Sequence, residues 1–182
     1  MANTTGTDTT DVLLSDPATG TKAKASSILQ RNAKVYGPTN ALRDDSSSWN
    51  SEGGDDDDGS HWFRIDFGRP VQPTRVGVQF QAGFCAQQGR IECNIGTDDD
   101  DVDKNNNTKS EWVSAIDNKD ESSAMVEWDD VHELQMIPLR RDIQPCTSLR
   151  LVLEDCTDFY GRVILYQVQV WGKERCTTTT TP

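Results

Sequence analysis

The sequence has no long apolar run, no cluster of basic residues beyond the adjacent pair Arg140-Arg141, no CxxC pair and only two histidines. Each absence excludes a class of protein. A membrane-spanning helix needs roughly 20 consecutive apolar residues, so no membrane partner is expected. Nucleic-acid binding draws on clustered Lys and Arg facing phosphates, whereas 18 bases here stand against 30 acids for a net charge of −12. No nucleic-acid partner is expected either. His61 and His132 stand alone, no G-x-S-x-G occurs, and no His or Cys cluster has metal-ligand spacing, so nothing in the residues names an enzyme, a metal or a cofactor. Both histidines read as surface or sheet-edge residues.

The apolar fraction, 34%, is low for a globular chain, and the deficit is local. It lies in the two ends and in two acidic stretches, Asp55 to Gly59 and Asp98 to Ser110. One compact domain is expected over residues 23–172, with disordered tails over 1–22 and 173–182 that lack the apolar residues to offset ordering entropy. Five cysteines, Cys85, Cys93, Cys146, Cys156 and Cys176, are an odd number without a disulfide-framework spacing and fit reduced thiols; a Cys85–Cys93 pair across a hairpin is the alternative. Met1 to Gly20 lacks a basic start and an apolar core. Together these give nucleus and cytoplasm as the expected address.

What the sequence does contain is period-two alternation. Phe63, Ile65 and Phe67 alternate with Arg64 and Asp66; Val76, Val78 and Phe80 with Arg75, Gly77 and Gln79; Leu149, Leu151 and Leu153 with Arg150. Ile164, Tyr166, Val168 and Val170 form a further run, with Val163, Leu165 and Trp171 opposite. Shorter runs lie at 91–95, 111–116, 124–128 and 134–139, divided by Gly, Pro, Asp and Asn. About eight strands and scarcely any helical period predict an all-β fold, an antiparallel sandwich or jelly roll. A short helical turn is expected at 39–42, with Thr39 or Asn40 as its cap.

The acidic runs fail as calcium loops. With Gly59 at the sixth position of an EF-hand, the first is Gly54 and the twelfth Ile65, and Asp99-Asp101-Asp103 is followed by Lys104 where glycine is required. Both read as solvated loops. Three other segments combine aromatic, amide and glycine residues at strand ends: Ser48-Trp49-Asn50-Ser51, residues 79–84, and residues 157–162. A structural role for each stands beside a recognition role. Trp49 would be a core plug, Gly83 and Gly161 turn formers, and Asp158 a loop-capping acceptor.

These same segments, with Ser26-Ser27-Ile28-Leu29, Asn32, His61-Trp62, Ile65-Asp66-Phe67-Gly68 and the stretch from Glu154 to Gly172, resemble a discoidin, or coagulation-factor C-type, domain. Within that superfamily the chain is most similar to the small intracellular nuclear receptor 2C2-associated family. The resemblance covers residues 26–172 and implies an eight-stranded jelly roll of the galactose-binding-like fold. It also implies a non-catalytic adaptor that binds a protein, in the family a nuclear receptor whose transcriptional action is repressed. The alternative it leaves is a carbohydrate- or small-ligand-binding module using the same loops. In such a sandwich the loops after Gln81 and before Val163 share the end opposite the termini, which makes Asn50, Gln81, Phe84, Asp158, Phe159 and Arg162 the expected partner-binding set. Against this stands the reading that Asp158 and Arg162 only pair with each other. Some members of the fold hold calcium before the Trp49 position, where this chain offers Asn40, Asp45 and Ser48; no metal is expected there.

Overall fold

One 20-residue strand, His61–Phe80, organises the molecule. The computed structural model describes residues 10–53, 59–96, 111–117 and 124–174; the Asp55 to Asp58 run and the 98–110 stretch lie outside them. In chain order the strands are β1 (Val12–Leu13), β2 (Lys22–Ala25), β3 (Trp49–Asn50), β4 (His61–Phe80), β5 (Ala86–Asn94), β6 (Trp112–Ser114), β7 (Val126–Glu127), β8 (Gln135–Pro138), β9 (Cys146–Cys156) and β10 (Ile164–Glu174). The first half of β4 pairs with β2 and β9, and β9 continues to β5 and then to β6 and β7. The second half pairs with β10 and β8, and β10 carries β1 and β3 on its other edge. Register breaks between Asp66 and Val71, where Gly68 sits at φ 67° and Pro70 removes a ladder donor. There β4 passes from one layer of an antiparallel jelly roll to the other.

The alternation places the core. Phe63, Leu151 and Ile91 lie in register across β4, β9 and β5, as do Ile65, Leu149 and Cys93, and all six are fully buried. Val76, Val78, Phe80, Leu165, Val168 and Val170 line the facing layer. Trp49 fills the space between, its ring 5.4 Å from Phe63 and its Nε1 donating to Ser27 O at 2.9 Å. The core-plug reading of Trp49 matches this position.

Four expectations change. The register of β10 slips between Leu165 and Gln167, so Leu165 joins Val168 and Val170 inside, whereas Tyr166 is only half-buried. A bulge inserts one residue and inverts the alternation beyond it. The expected boundary at residue 23 also moves. Leu14 is fully buried and donates its N–H to Val170 O at 2.7 Å, while Ser15 exchanges hydrogen bonds with Val168 O and Val170 N. Val12-Leu13-Leu14 is an apolar triplet in a polar stretch, and the open edge of β10 gives it a partner. At the other end Lys173 and Glu174 continue β10 against Gln72 and Val71. The helical turn spans Pro38–Leu42, but its cap is Gly37 and Asn40 lies inside it, buried. The reduced-thiol expectation is met at Cys85 and Cys93, both free and buried.

Candidate functional site

The end of the sandwich opposite the termini is built around the start of β10. Ile164 and Leu165 pair with Asn50 and Trp49 on one side, and Leu165 pairs with Phe80 on the other. Three loops are thereby tied together. Gln81 N donates to Ile164 O (3.0 Å) and Ile164 N to Phe84 O (3.1 Å). Ser51 N donates to Val163 O (2.9 Å), and Val163 N to Ser51 Oγ (2.8 Å). Cys85 N donates to Thr157 Oγ1 (3.0 Å), and Thr157 N to Cys85 O (2.8 Å).

Asp158 organises the central loop. Its Oδ2 accepts the Tyr160 and Arg162 amides, each at 3.2 Å, and its carboxylate receives Arg162 Nε at 2.8 Å and Nη2 at 3.2 Å. The turn closes with Gly161 N on Asp158 O at 2.9 Å, Gly161 standing at φ 70°, a conformation that favours glycine. From beneath, His61 Nε2–H donates to Gly161 O at 2.6 Å. His61 is buried and also lies 3.5 Å from the Ser26 and Ser51 hydroxyls. Its expected place at the surface or a sheet edge is therefore corrected. It faces inward at the start of β4, because the alternation that buries Phe63 buries residue 61 as well.

On this frame the loop displays aromatic surface. Phe159 is 92% exposed and Tyr160 67%, with ring centroids 5.3 Å apart and planes at 88°. The Arg162 guanidinium lies over the Phe84 ring at 5.2 Å and over Tyr160 at 5.3 Å, so it links the two loops by cation–π contact. Gly53 is pressed against Tyr160, with only 2.8 Å between its would-be Cβ and the Tyr160 carbonyl oxygen. Two adjacent aromatics left in water contribute little to the core.

The structure gathers the expected residues at this end and gives them different duties. Phe159 stands at the tip, Phe84 lies half-buried beneath Arg162, and Gln81 accepts from Tyr166 OH at 3.4 Å. Asn50 sits on β3, its Oδ1 accepting from Ser48 Oγ at 2.7 Å. Asp158 is spent on the loop, as the pairing reading held, whereas Arg162 both pairs and offers its stacked face. Sequence reasoning missed Tyr160 and His61. The signal for Tyr160 was present, an aromatic pair immediately before a turn glycine. Nothing local pointed from His61 to a carbonyl a hundred positions away.

Electrostatics reinforce the frame. The Arg162 guanidinium, then the two amides, hold the Asp158 carboxyl below its ordinary value of 3.8, and Asp158 in turn raises Arg162. A depressed carboxyl stabilises the folded loop fully above its ordinary range and ceases to do so as pH falls through the folded value. The Tyr160 and Arg162 amide resonances are therefore expected to stay fixed from about pH 8 to about pH 5 and to move only below the ordinary 3.8. Movement around neutrality would contradict the assignment. Burial pushes the Cys85 thiol up to about 12 and Cys156 up to about 11, which makes both poor nucleophiles.

The calcium set does not fit its ion. Asn40 turns its amide hydrogens onto the Val35 and Ser48 carbonyls at 2.8 and 3.1 Å, holding by itself two oxygens that a cation would have to gather. Asp45 accepts from the Ser47 amide at 2.7 Å and from the Ser47 hydroxyl. Ser48 Oγ donates to Asn50. Melting curves in calcium and in chelator are expected to coincide, and stabilisation by micromolar calcium that Asp45→Ala abolishes would overturn this.

Fold and site together define a discoidin-type, galactose-binding-like β-sandwich. Among solved structures similar to it, the F5/8 type C domain of a Bacteroides fragilis protein superposes with a TM-score of 0.65 at 14% identity, covering 91% of this chain and 97% of that one. A chitosan-binding module from a Paenibacillus chitosanase/glucanase gives 0.63 at 17%, covering 88% and 99%. The family 32 carbohydrate-binding module of Clostridium perfringens NanJ, solved with galactose, gives 0.59 at 11%, covering 88% and 98%. The chain belongs to the nuclear receptor 2C2-associated protein family: it is 30% identical over 160 residues to the Bos taurus member, covering 85% of this chain and 93% of that protein. The Mus musculus member is 29% identical over 157 residues, covering 85% and 92%. No family model matches the chain.

Proposed function

We propose that this chain is a non-catalytic protein-binding adaptor of the nucleus and cytoplasm, a nuclear-receptor-associated transcriptional regulator whose recognition face is the Phe159–Tyr160 loop with Phe84 and Arg162. Asn50 and Gln81 flank that face. The observation that carries the reading is the exposure of Phe159 and Tyr160 on a loop braced by Asp158, Arg162 and His61. A rigid aromatic pair beside an arginine is the composition of a protein-binding hot spot, offered without the entropy cost of ordering a floppy loop. The relatives' name supports a nuclear receptor as the partner. Among the described residues no helix is long and apolar enough to cross a membrane.

A second reading is a carbohydrate-binding module. Its support is the solved neighbours that bind chitosan or galactose and the supply of aromatic rings for stacking on sugar. Immobilised nuclear receptor 2C2 and a glycan array, probed with the same full-length chain, separate the two. The adaptor reading expects saturable capture by the receptor and an array at background. Saturable glycan binding with no receptor capture would replace it with the second reading.

A further inference from the structure

We infer that the opposite end of the sandwich holds a second, independent binding site, for a phosphate-bearing anion. A cavity of about 490 Å³ opens there, lined by Arg75, Arg140, Arg141 and Lys173 with a single carboxylate, Asp11. Its volume lies in the range of small-molecule sites, roughly 300–1,000 Å³. An adjoining pocket, which Arg141 also lines, adds Asp117 and Asp142, the latter 3.0 Å from Arg140 Nε, which leaves four cations against three acids among the described residues. For a chain of net charge −12, this is a local reversal of sign inside a concave surface, where low-dielectric walls focus the field.

The donors are partly pre-set. Asp11 Oδ2 accepts from Thr74 Oγ1 at 2.6 Å and from Arg75 Nη1 at 2.9 Å. The Arg75 guanidinium also lies 5.2 Å over the Trp171 ring, so its fork is held flat by stacking while its other N–H groups remain to be used. Lys173 is fixed on β10 by its pairing with Gln72. Arg141 and Lys173 line the same cavity as Arg75 and Arg140. Four cations gathered on one concave surface concentrate positive potential there, which favours an anion. Guanidinium forks and a lysine point charge together suit a phosphate group carrying more than one negative charge. The whole length of β10 separates this cavity from the Phe159 loop, and the two share no residue.

Calorimetric titration with pyrophosphate and with ATP, and co-sedimentation with phosphatidylcholine vesicles with or without phosphatidic acid, test the inference on the full chain. Saturable binding of a soluble probe is expected. Arg141→Ala and Lys173→Ala should each weaken it by about tenfold, as loss of a charge-assisted contact does. Asp11→Asn keeps the acceptor for Thr74 but removes the negative charge, and it should tighten binding several-fold. That gain separates a site from mere damage to the fold. Binding of the soluble probes alone assigns a free organic phosphate, and additional sedimentation with phosphatidic acid assigns a lipid headgroup. Failure to bind any of these probes saturably, or equal binding by all variants, overturns the site.

Discussion

Replacing Phe159 and Tyr160 together by alanine is expected to weaken binding to the protein partner by about a hundredfold or more while leaving the melting temperature unchanged. Both halves follow from exposure. At 92% and 67% exposed, the two rings contribute almost nothing to the core, so their removal costs little folding free energy. In a complex, each would be among the residues whose truncation costs about 2 kcal/mol or more, and each 1.4 kcal/mol is about tenfold in affinity. Surface plasmon resonance on immobilised nuclear receptor 2C2, paired with a thermal melt of the same preparation, reads both quantities. A fall in melting temperature with unchanged affinity would invert the account and make the loop a structural element.

The second large effect is on stability. Trp49→Ala is expected to destabilise the chain by about 3–5 kcal/mol, the cost of emptying a large buried aromatic site. Such a loss is a major fraction of the roughly 5–15 kcal/mol that a domain has in total. Trp49 is fully buried, contacts Phe63 and anchors the Ser27 carbonyl. The cavity would open where β3 pairs with the start of β10, so the loops at that end should lose order with the core. Urea titration followed by circular dichroism measures it, and a loss below about 1 kcal/mol would mean the surrounding residues close the gap. Trp49→Phe keeps most of the volume and drops the hydrogen bond, so it should fall between the two.

The legible parts of this molecule were those encoded locally. Phe63-Ile65-Phe67 and Leu149-Leu151-Leu153 announce two strands because alternate side chains point to opposite faces, and the two are neighbours, Phe63 pairing with Leu151 and Ile65 with Leu149. Asp158 and Arg162 are close enough along the chain that their pairing could be weighed from spacing alone. Where the fold departs from local pattern, the sequence misleads. The bulge after Leu165 inverts the parity of β10, and no residue type in that run marks it. Val12 to Leu14 has too little apolar surface to form a strand by itself and gains its place only from the open edge of β10. His61 acts through Gly161 O, and that contact exists only once two layers are packed. The cations of the second cavity come from β4, β10 and the segment after β8, so no basic cluster appears in the chain beyond Arg140-Arg141.

The central claim, that the loops around the start of β10 form the working surface, is tested most directly by receptor affinity and melting temperature measured together on Phe84→Ala and Arg162→Ala. Phe84 is half-buried and carries the Arg162 guanidinium on its ring, so Phe84→Ala should cost less than the roughly 3 kcal/mol of a fully buried phenylalanine. Arg162→Ala releases the Asp158 carboxylate and the cation–π link at once. The account predicts that both variants fold, and that both lose at least about tenfold in receptor affinity. Capture of the receptor by both variants as tightly as by the wild-type chain would contradict it.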